Sequence, residues 1–568
     1  MPFFLSPGVN FSEIDLTTIV PAVGTTEGAF AGAFRWGPLD VVMNIGNEIE
    51  LVNTFFVPDN DTFKSFFTCS NFLSYARRLR VVRAANTTST KNASSNASGV
   101  LIKNKDLYEL DYSDMSGSAA VGQFVARYPG SLGNSLKVSL WASSNSTLYS
   151  AWTYADEFNG AVGTSEFVSN VNGANDEMHI IVIDEDGKFS GTSNTVLEKF
   201  SYVSKASDAT NNDGSSNYYV NRINESSKYI YIYKHAISSN GQSETSTWGT
   251  SASNTTYNQT STNYTSSLSG GVDAAPTDAN LQTAYDKFAN GDEVDVSLIL
   301  TGAAPQVVSE YVLDNIAGVR RDCVVFVSPE QAQVVNNSGL EVTDLTTYRN
   351  LFNSTSYGFM DCNWKYQFDK YNNTYRWLPL NGDIAGLCVR TDFERDPWFS
   401  PAGFNRGFIK NVVKLAWNPS KGDRDDLYKI GINPVVTFPG EGTILYGDKT
   451  MLTKPSAFDR INVRRLFIVL EKAISRAAKY SLFEFNDEFT RAAFVALVEP
   501  FLRDVQGRRG IFDFRVVCDS TNNTPEVIDR NEFIGDIYIK PARSINFIQL
   551  NFIAVRTGVA FEEVVGRF

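Results

Sequence analysis

Histidine is almost absent from this sequence: His179 and His235 are the only two in 568 residues. Neither stands near a serine or cysteine in a nucleophile setting, and no HExxH or HxH pair occurs, so the usual acid-base and zinc chemistries have no carriers. The five cysteines, Cys69, Cys323, Cys362, Cys388 and Cys518, are scattered, without the close pair that a zinc knuckle or redox motif needs. They read as reduced, buried thiols. Excess positive charge is lacking too. Fifty Lys and Arg against 63 Asp and Glu leave a formal charge of −13, which argues against a general nucleic-acid binder, because neutralising phosphates takes clustered cations. No apolar run reaches roughly eighteen residues, and MPFFLSPGVNFSEID has no basic segment leading into an apolar core. Neither a membrane span nor a signal peptide is expected. The N-x-S/T sequons, Asn92, Asn254 and Asn258 among them, then follow from Asn, Ser and Thr abundance rather than from glycosylation.

What the chain does have is apolar mass, 43% hydrophobic and 13% aromatic residues, over a length that predicts two to four domains. Residues 1–22 are extended in character, with Phe11, Ile14, Leu16 and Ile19 apolar but at no helical spacing. Such a tail has too little surface to fold alone, and either frays or pairs with something. From Val23 to Arg83 glycines punctuate short apolar strands, and a helix over Phe63–Leu79 feeds a strand at Leu79–Arg83. Composition changes at Asn86. Up to about Pro276 the sequence is rich in Asn, Ser, Thr and Gly and broken into short strands at Leu136–Trp141, His179–Ile183 and Tyr229–Tyr233, which reads as inserted β-rich structure. Residues 238–271, with Glu244 their only charge, read as a mobile loop or a polar surface layer. From Asp295 the α/β character returns: VDVSLILTG, a helix over Ala304–Val319 and CVVFVSP form a βαβ pattern.

The C-terminal stretch carries two helices and three strands. Val463, Leu466, Phe467, Leu470, Ile474 and Ala477 make one helical stripe that Asp459 can cap. Phe489, Phe494, Leu497, Val498, Phe501 and Leu502 make a second, with Asn486 at its start, Gly507 at its end and Pro500 bending it. Strands are expected at Phe512–Cys518, Gly535–Ile539 and Ile545–Val555. The first helix also concentrates positive charge, at Arg460, Arg464, Arg465, Lys472, Arg476 and Lys479. This is either a solvated face paired with local acids or a surface for a partner.

Two motifs imitate ligand sites. Gly442-TILY-Gly447-Asp448-Lys449-Thr450 nearly spells a P-loop, but Asp448 places a carboxylate where phosphate oxygens would sit and TILY is strand-like. Asp184-Glu-Asp-Gly187 begins like a calcium loop and lacks the closing Glu, so it reads as a hairpin turn, with a weak surface calcium site as the alternative. No catalytic residue, cofactor or metal site is expected, and a paired-carboxylate hydrolase has nothing in the sequence to point to it.

Several stretches carry a resemblance. SPGV and SEID near the start, AFAGAFRWGPLD, LRVVRAAN, FVARYPGSLGNSLKVSL, PWFSPAG, GINPVVTFPGEGT, INVRRLFIVLEKAISRAAKYSLFEFND, FLRDVQGRRGIFDFRVVCD and IKPARSINFIQLNFIAVRTG resemble contractile-tail sheath proteins of T-even-type bacteriophages, most closely those of phages that infect cyanobacteria. The matches cover roughly residues 1–85, 122–140 and 290–568. The resemblance implies an α+β multidomain fold. An inter-subunit arm would span residues 1–22, and a discontinuous α/β middle domain 23–85 and 285–450. An inserted β-rich outer region would span 86–284, and a C-terminal α/β inner domain 451–568, ending in a strand-adding arm. It further implies a non-enzymatic virion subunit, assembled in the host cytoplasm, that stacks as six-fold rings around a tail tube. Its contraction would drive the tube through the host envelope. The expected partners are further copies, the tube, baseplate and tail terminator proteins, with no nucleic acid or membrane. Phe11, Ile14, Leu16, Ile19, Phe547, Leu550 and Phe552 would serve the inter-subunit arms, and Arg464, Arg465, Lys472 and Arg476 would face the tube. Another virion component, such as a baseplate or capsid protein, and a cytosolic α/β enzyme are the rival readings.

Overall fold

The computed structural model describes residues 24–546 and 549, except 116, 119, 236–246 and 338. It is an α+β protein of two compact units. The larger comprises Pro21–Pro397 and Pro401–Arg476; the smaller takes in Trp398–Ser400 and the chain from Ala477 on.

The larger unit is built on β1 (Gly28–Gly32), β2 (Val42–Ile45) and β3 (Leu79–Arg83), which join strands from beyond residue 295. Between them lie β4 (Phe124–Ala126), β5 (Leu136–Trp141), β6 (Glu177–Asp184), β7 (Thr195–Ser204), β8 (Ile230–Ile232) and β9 (Tyr264–Ser267). After them come β10 (Leu298–Leu300), β11 (Val324–Val327), β12 (Gly358–Asp361), β13 (Trp364–Asp369), β14 (Thr374–Pro379), β15 (Lys414–Leu415), β16 (Ile432–Asn433), β17 (Val435–Phe438) and β18 (Gly442–Leu445). A seven-stranded sheet runs β16-β12-β11-β10-β1-β3-β2, parallel throughout except for the antiparallel edge strand β2.

Both faces of this sheet are covered, which is why its strands read as unbroken apolar runs. Successive side chains alternate between two cores. Phe30, Val81, Leu298, Leu300, Val324, Phe326 and Phe359 enter one, against the helices Phe63–Leu73 and Asn381–Glu394. Ala29, Ala31, Val82, Ile299, Val325, Val327 and Met360 enter the other, against helical turns at Asp278–Tyr285, Gln306–Arg320 and Glu341–Asn350. The expected helix at Ala304–Val319 is thus present, with a π-helical segment at Val312–Ala317. Gly382 and Gly386 let the Asn381–Glu394 helix lie directly on its neighbour: an added Cβ would stand 2.5 Å from Thr68 O and 2.5 Å from the Tyr75 ring.

The insert forms an antiparallel sheet, β7-β6-β5-β9, and a separate β4-β8 pair. Leu136, Val138, Leu140, Ile180 and Val182 fill one side, together with Trp36 from the segment after β1. Trp141, Ile181, Ile183, Trp152 and Phe158 fill the other. The described part of the serine- and threonine-rich stretch is more ordered than a loop or surface layer. From residue 247 on, it contributes β9 to the sheet and buries Trp248 and Tyr257. The insert leaves and returns side by side, since the Asn86 amide donates to Ala274 O (3.2 Å) and Lys91 bridges to Val272. Buried Arg83 locks this junction, donating to Phe34 O (2.8 Å), Gly37 O (2.7 Å) and Pro129 O (2.8 Å).

In the smaller unit the helix Glu488–Gly507 packs beside a hairpin of β19 (Ile511–Val517) and β20 (Asp536–Pro541). Asp487, rather than Asn486, caps that helix by accepting from the Thr490 amide (2.8 Å), and Pro500 lies inside it. Phe494, Val498, Leu502 and Val505 are its buried stripe. Phe489, expected in that stripe, is exposed. The division between the units falls inside the helix Ile461–Ala478.

Candidate interaction surfaces

The arm residues Phe11, Ile14, Leu16, Ile19, Phe547, Leu550 and Phe552 lie outside the described residues. The basic helix does not, and it turns most of its charge inward. Helical spacing puts Ile461, Leu466 and Ile474 into the fold and carries Arg464 and Arg465 with them on the flanks of the stripe. Arg465 is buried and donates to Asp392 at 2.6 Å; both side chains are 4% exposed. Burial pushes the Asp392 carboxyl up, against the pull of Arg465. The Arg464 guanidinium lies 4.0 Å from the centroid of the Phe458 ring and 4.4 Å from that of Tyr357, a cation–π sandwich. Lys472 donates to Asp295 (2.8 Å), Ser297 Oγ (3.0 Å) and Val296 O (3.0 Å), and Arg476 to Asp295 (2.7 Å). Arg464 and Arg465 therefore cannot form an outward basic face in this fold. Of the four, Arg476 alone is exposed.

Both imitations of ligand sites are structural. Gly442–Leu445 is β18, Asp448 accepts from Tyr428 (3.0 Å) and Arg460 (3.2 Å), and Lys449 donates to Tyr428 O (2.8 Å), so no phosphate cradle exists there. Asp184 is buried and accepts from Ser135 Oγ (2.6 Å), the Ser190 amide (2.7 Å) and hydroxyl (2.8 Å), and the Phe189 amide (2.9 Å). Burial alone would raise its carboxyl, but these donors outweigh burial and hold it below the usual range. Its oxygens are spent on the turn, which removes the calcium alternative at this residue. No cluster of three potential metal ligands occurs among the described residues. His179 is buried against Phe158, with Nε2 at 2.9 Å from Gly160 O and Nδ1 accepting from the Tyr202 amide (3.2 Å). His235 pairs with the Tyr219 hydroxyl, and burial, aided by Lys234, lowers it to about 4. Both are satisfied packing residues.

Four features escaped sequence reading. At the tips of β10, β11 and β12, Ser328 Oγ donates to Asp361 (2.5 Å) and accepts from the Asn381 amide (2.9 Å). Asn381 in turn holds Gly302 through both its side-chain atoms, and buried Lys365 pairs with Asp383 at 2.9 Å. The run LPLNGD was the available signal. In the smaller unit the turn between the two helices exposes Tyr480, Leu482, Phe483, Phe485 and Phe489. In the larger unit an open groove of about 640 Å³ runs between Phe408–Asn418 and the β17–β18 hairpin. Finally, β19 and β20 pair only with each other among the described residues, and Phe512 and Tyr538 on them are exposed. A two-stranded sheet with open edges is a ready acceptor for an added strand.

Comparison with known proteins gives a consistent result. Residues 453–554 match the model of the phage tail sheath C-terminal domain, and residues 274–451 that of the phage tail sheath protein central domain. The tail sheath protein of Vibrio phage KVP40 is 34% identical over an alignment of 669 residues that takes in 99% of this chain and all of the relative. That of Enterobacteria phage T4 is also 34% identical, over 99% of both chains. Among solved structures, the sheath tail protein from Listeria innocua aligns with a TM-score of 0.51 at 11% identity over 92% of this chain and 96% of its own. The one from Desulfitobacterium hafniense aligns with 0.51 at 12% over 94% and 100%. These two show a shared fold.

Proposed function

The chain belongs to the phage tail sheath proteins, and from that premise we propose how its structure serves the tail. It is a structural subunit of a contractile sheath and a component of the virion. The observation that carries this reading is the 34% identity to tail sheath proteins, which extends over 99% of the chain rather than over one domain. Copies stack as hexameric rings around the tail tube, between baseplate and terminator, after assembly in the host cytoplasm, and they act by changing lattice rather than by catalysis. Residues 1–22 serve as an arm, 23–85 with 285–450 as the middle domain, 86–284 as the outer insert and 451–568 as the inner domain. Toward the tube, Arg476 is the basic residue of the helix still available.

The β19–β20 hairpin, whose strands pair only with each other among the described residues, supports strand addition as the joint between subunits. A joint of four or five backbone hydrogen bonds, each contributing about 0.5–1.5 kcal/mol, amounts to only a few kcal/mol. Repeated over every subunit, such joints keep the mesh connected while the bodies between them move. Electron microscopy of the purified full-length chain, and of a variant lacking residues 1–20, tests this. Tubes or stacked rings are expected from the full chain, and folded but unassembled particles from the truncation. A truncated protein that forms sheaths of normal length would remove the arm from the mechanism. A full-length chain that forms no polymer even when co-expressed with a tail tube would refute the sheath reading.

A further inference from the structure

We propose that the aromatic turn Leu482–Phe489 of one copy docks into the Phe408–Asn418 groove of another, a second inter-subunit contact independent of strand addition. The inference rests on the sheath reading for its setting and on three observations for its content.

The turn is built at a cost that the isolated chain does not recover. Phe483 sits at φ +70°, a backbone region that bulky residues rarely enter, and its side chain is entirely exposed. Phe485 and Phe489 beside it are 83% and 82% exposed. Three phenylalanines within seven positions in water form an apolar knob of the kind that marks an interaction site, and strained backbone tends to persist where function holds it.

The groove matches that knob in size and character. Its volume of about 640 Å³ is lined by Phe408, Ile409, Val412, Val413, Leu415 and Pro439, with Phe408 and Val413 themselves 45% and 60% exposed. Space of this order accommodates several ring-sized groups. The charges are complementary as well. Lys414 is the one charged residue in the lining, and Arg424 stands 5.7 Å from the ring centroids of Phe438 and Tyr446 next to it. The turn carries exposed Glu484, Asp487 and Glu488. Carboxylates flanking the knob would thus meet cations at the groove.

Knob and groove are different patches, so the contact is heterologous: each copy offers one knob and one groove, and the chain of contacts either closes into a ring or runs on as a helix. A stacked-ring polymer has room for such a contact at every subunit. An isologous contact would stop at two copies.

Cysteine cross-linking tests the pairing, because all five native cysteines are buried. Full-length Phe485→Cys and Val413→Cys are prepared separately, assembled as a mixture and oxidised. The expected result is a disulfide-linked dimer containing one chain of each variant, rising from background to a large share of the mixture. Neither variant alone should give it, and the Phe485→Cys/Val413→Cys double variant should give a ladder of higher multiples. Polymers that form normally but yield no mixed dimer overturn the docking and leave the sheath reading intact. Cross-linking within single chains of the unassembled double variant would also overturn it, by placing the contact inside one molecule. Loss of polymer from the unmodified chain would instead count against the sheath reading.

Discussion

Asp361 ends β12 with its carboxyl buried between Ser328 and the Asn363 amide, and Asp383 lies close enough to add like charge. Burial first, and Asp383 second, push it from the ordinary 3.8 to about 7, despite the two donors. A carboxyl raised on folding binds its proton more tightly in the folded chain. Stability at this site is therefore fully present near pH 4 and falls as the pH rises toward about 7, where the folded carboxyl ionises. Asp361→Asn keeps the size and an acceptor but cannot ionise. The variant is expected to match the parent near pH 4 and to exceed it at pH 8 by about 1–4 kcal/mol, read from denaturant melts at the two pH values. The difference between the two proteins reads Asp361 together with its coupling to Asp383, while what Lys365 and Tyr75 contribute alike cancels. Parallel stability-pH curves would show that folding leaves the Asp361 carboxyl unshifted.

At the scale of elements, the helix Ile461–Ala478 shows what a sequence pattern carries and what it cannot. Its existence and apolar stripe follow from spacing alone, as do β3, β5, β10 and β11 from their β-branched runs. The fate of its charges does not follow. Asp392, which takes Arg465, is 73 positions away, and Asp295, which takes Lys472 and Arg476, is 177 and 181 away. Local acids were the only partners that spacing could suggest, and the groups that matter arrive through tertiary folding. Phe489 misled for the same reason: it continues a helical pattern whose docking partner begins only at Phe494. The Ser328–Asp361–Asn381 node was hidden because three strand tips and one helix start, far apart in sequence, compose it. The buried Arg465–Asp392 pair gives the prediction at this scale. Removing one partner strands the other, so Arg465→Met should cost about 3–5 kcal/mol, while Arg465→Met combined with Asp392→Leu should restore most of the loss. A double variant as weak as the single would mean that the pair holds the helix against its neighbour by more than charge balance, which a double-mutant cycle of melts would reveal directly.

At the scale of the whole molecule, the insert is an excursion whose two ends meet. Asn86 bonds to Ala274 and Lys91 faces Val272, so a short link there closes the larger unit without stretching it. Among the described residues, the parallel sheet takes no strand from 88–272, and its two cores contain no residue from them. Several ties would be lost with the insert: Trp36 and Phe56 would give up their packing on the insert's core, Leu39 and Asp40 their bonds to Lys103 and Asn104, and Arg83 would keep Phe34 O and Gly37 O but not Pro129 O. Each is a local loss, on the order of 1–3 kcal/mol for the unpaired donor. A chain in which a Gly-Ser linker replaces residues 88–272 is therefore expected to fold, to melt somewhat below the parent, and to polymerise still, since both proposed inter-subunit contacts lie outside the insert. Circular dichroism melts and electron microscopy of the excised chain check the two halves of this expectation separately. Failure to fold would make the insert part of the sheet's folding unit, whereas a folded chain that no longer polymerises would mean that the outer region, and not the knob, groove or arms, supplies the contacts on which the lattice depends.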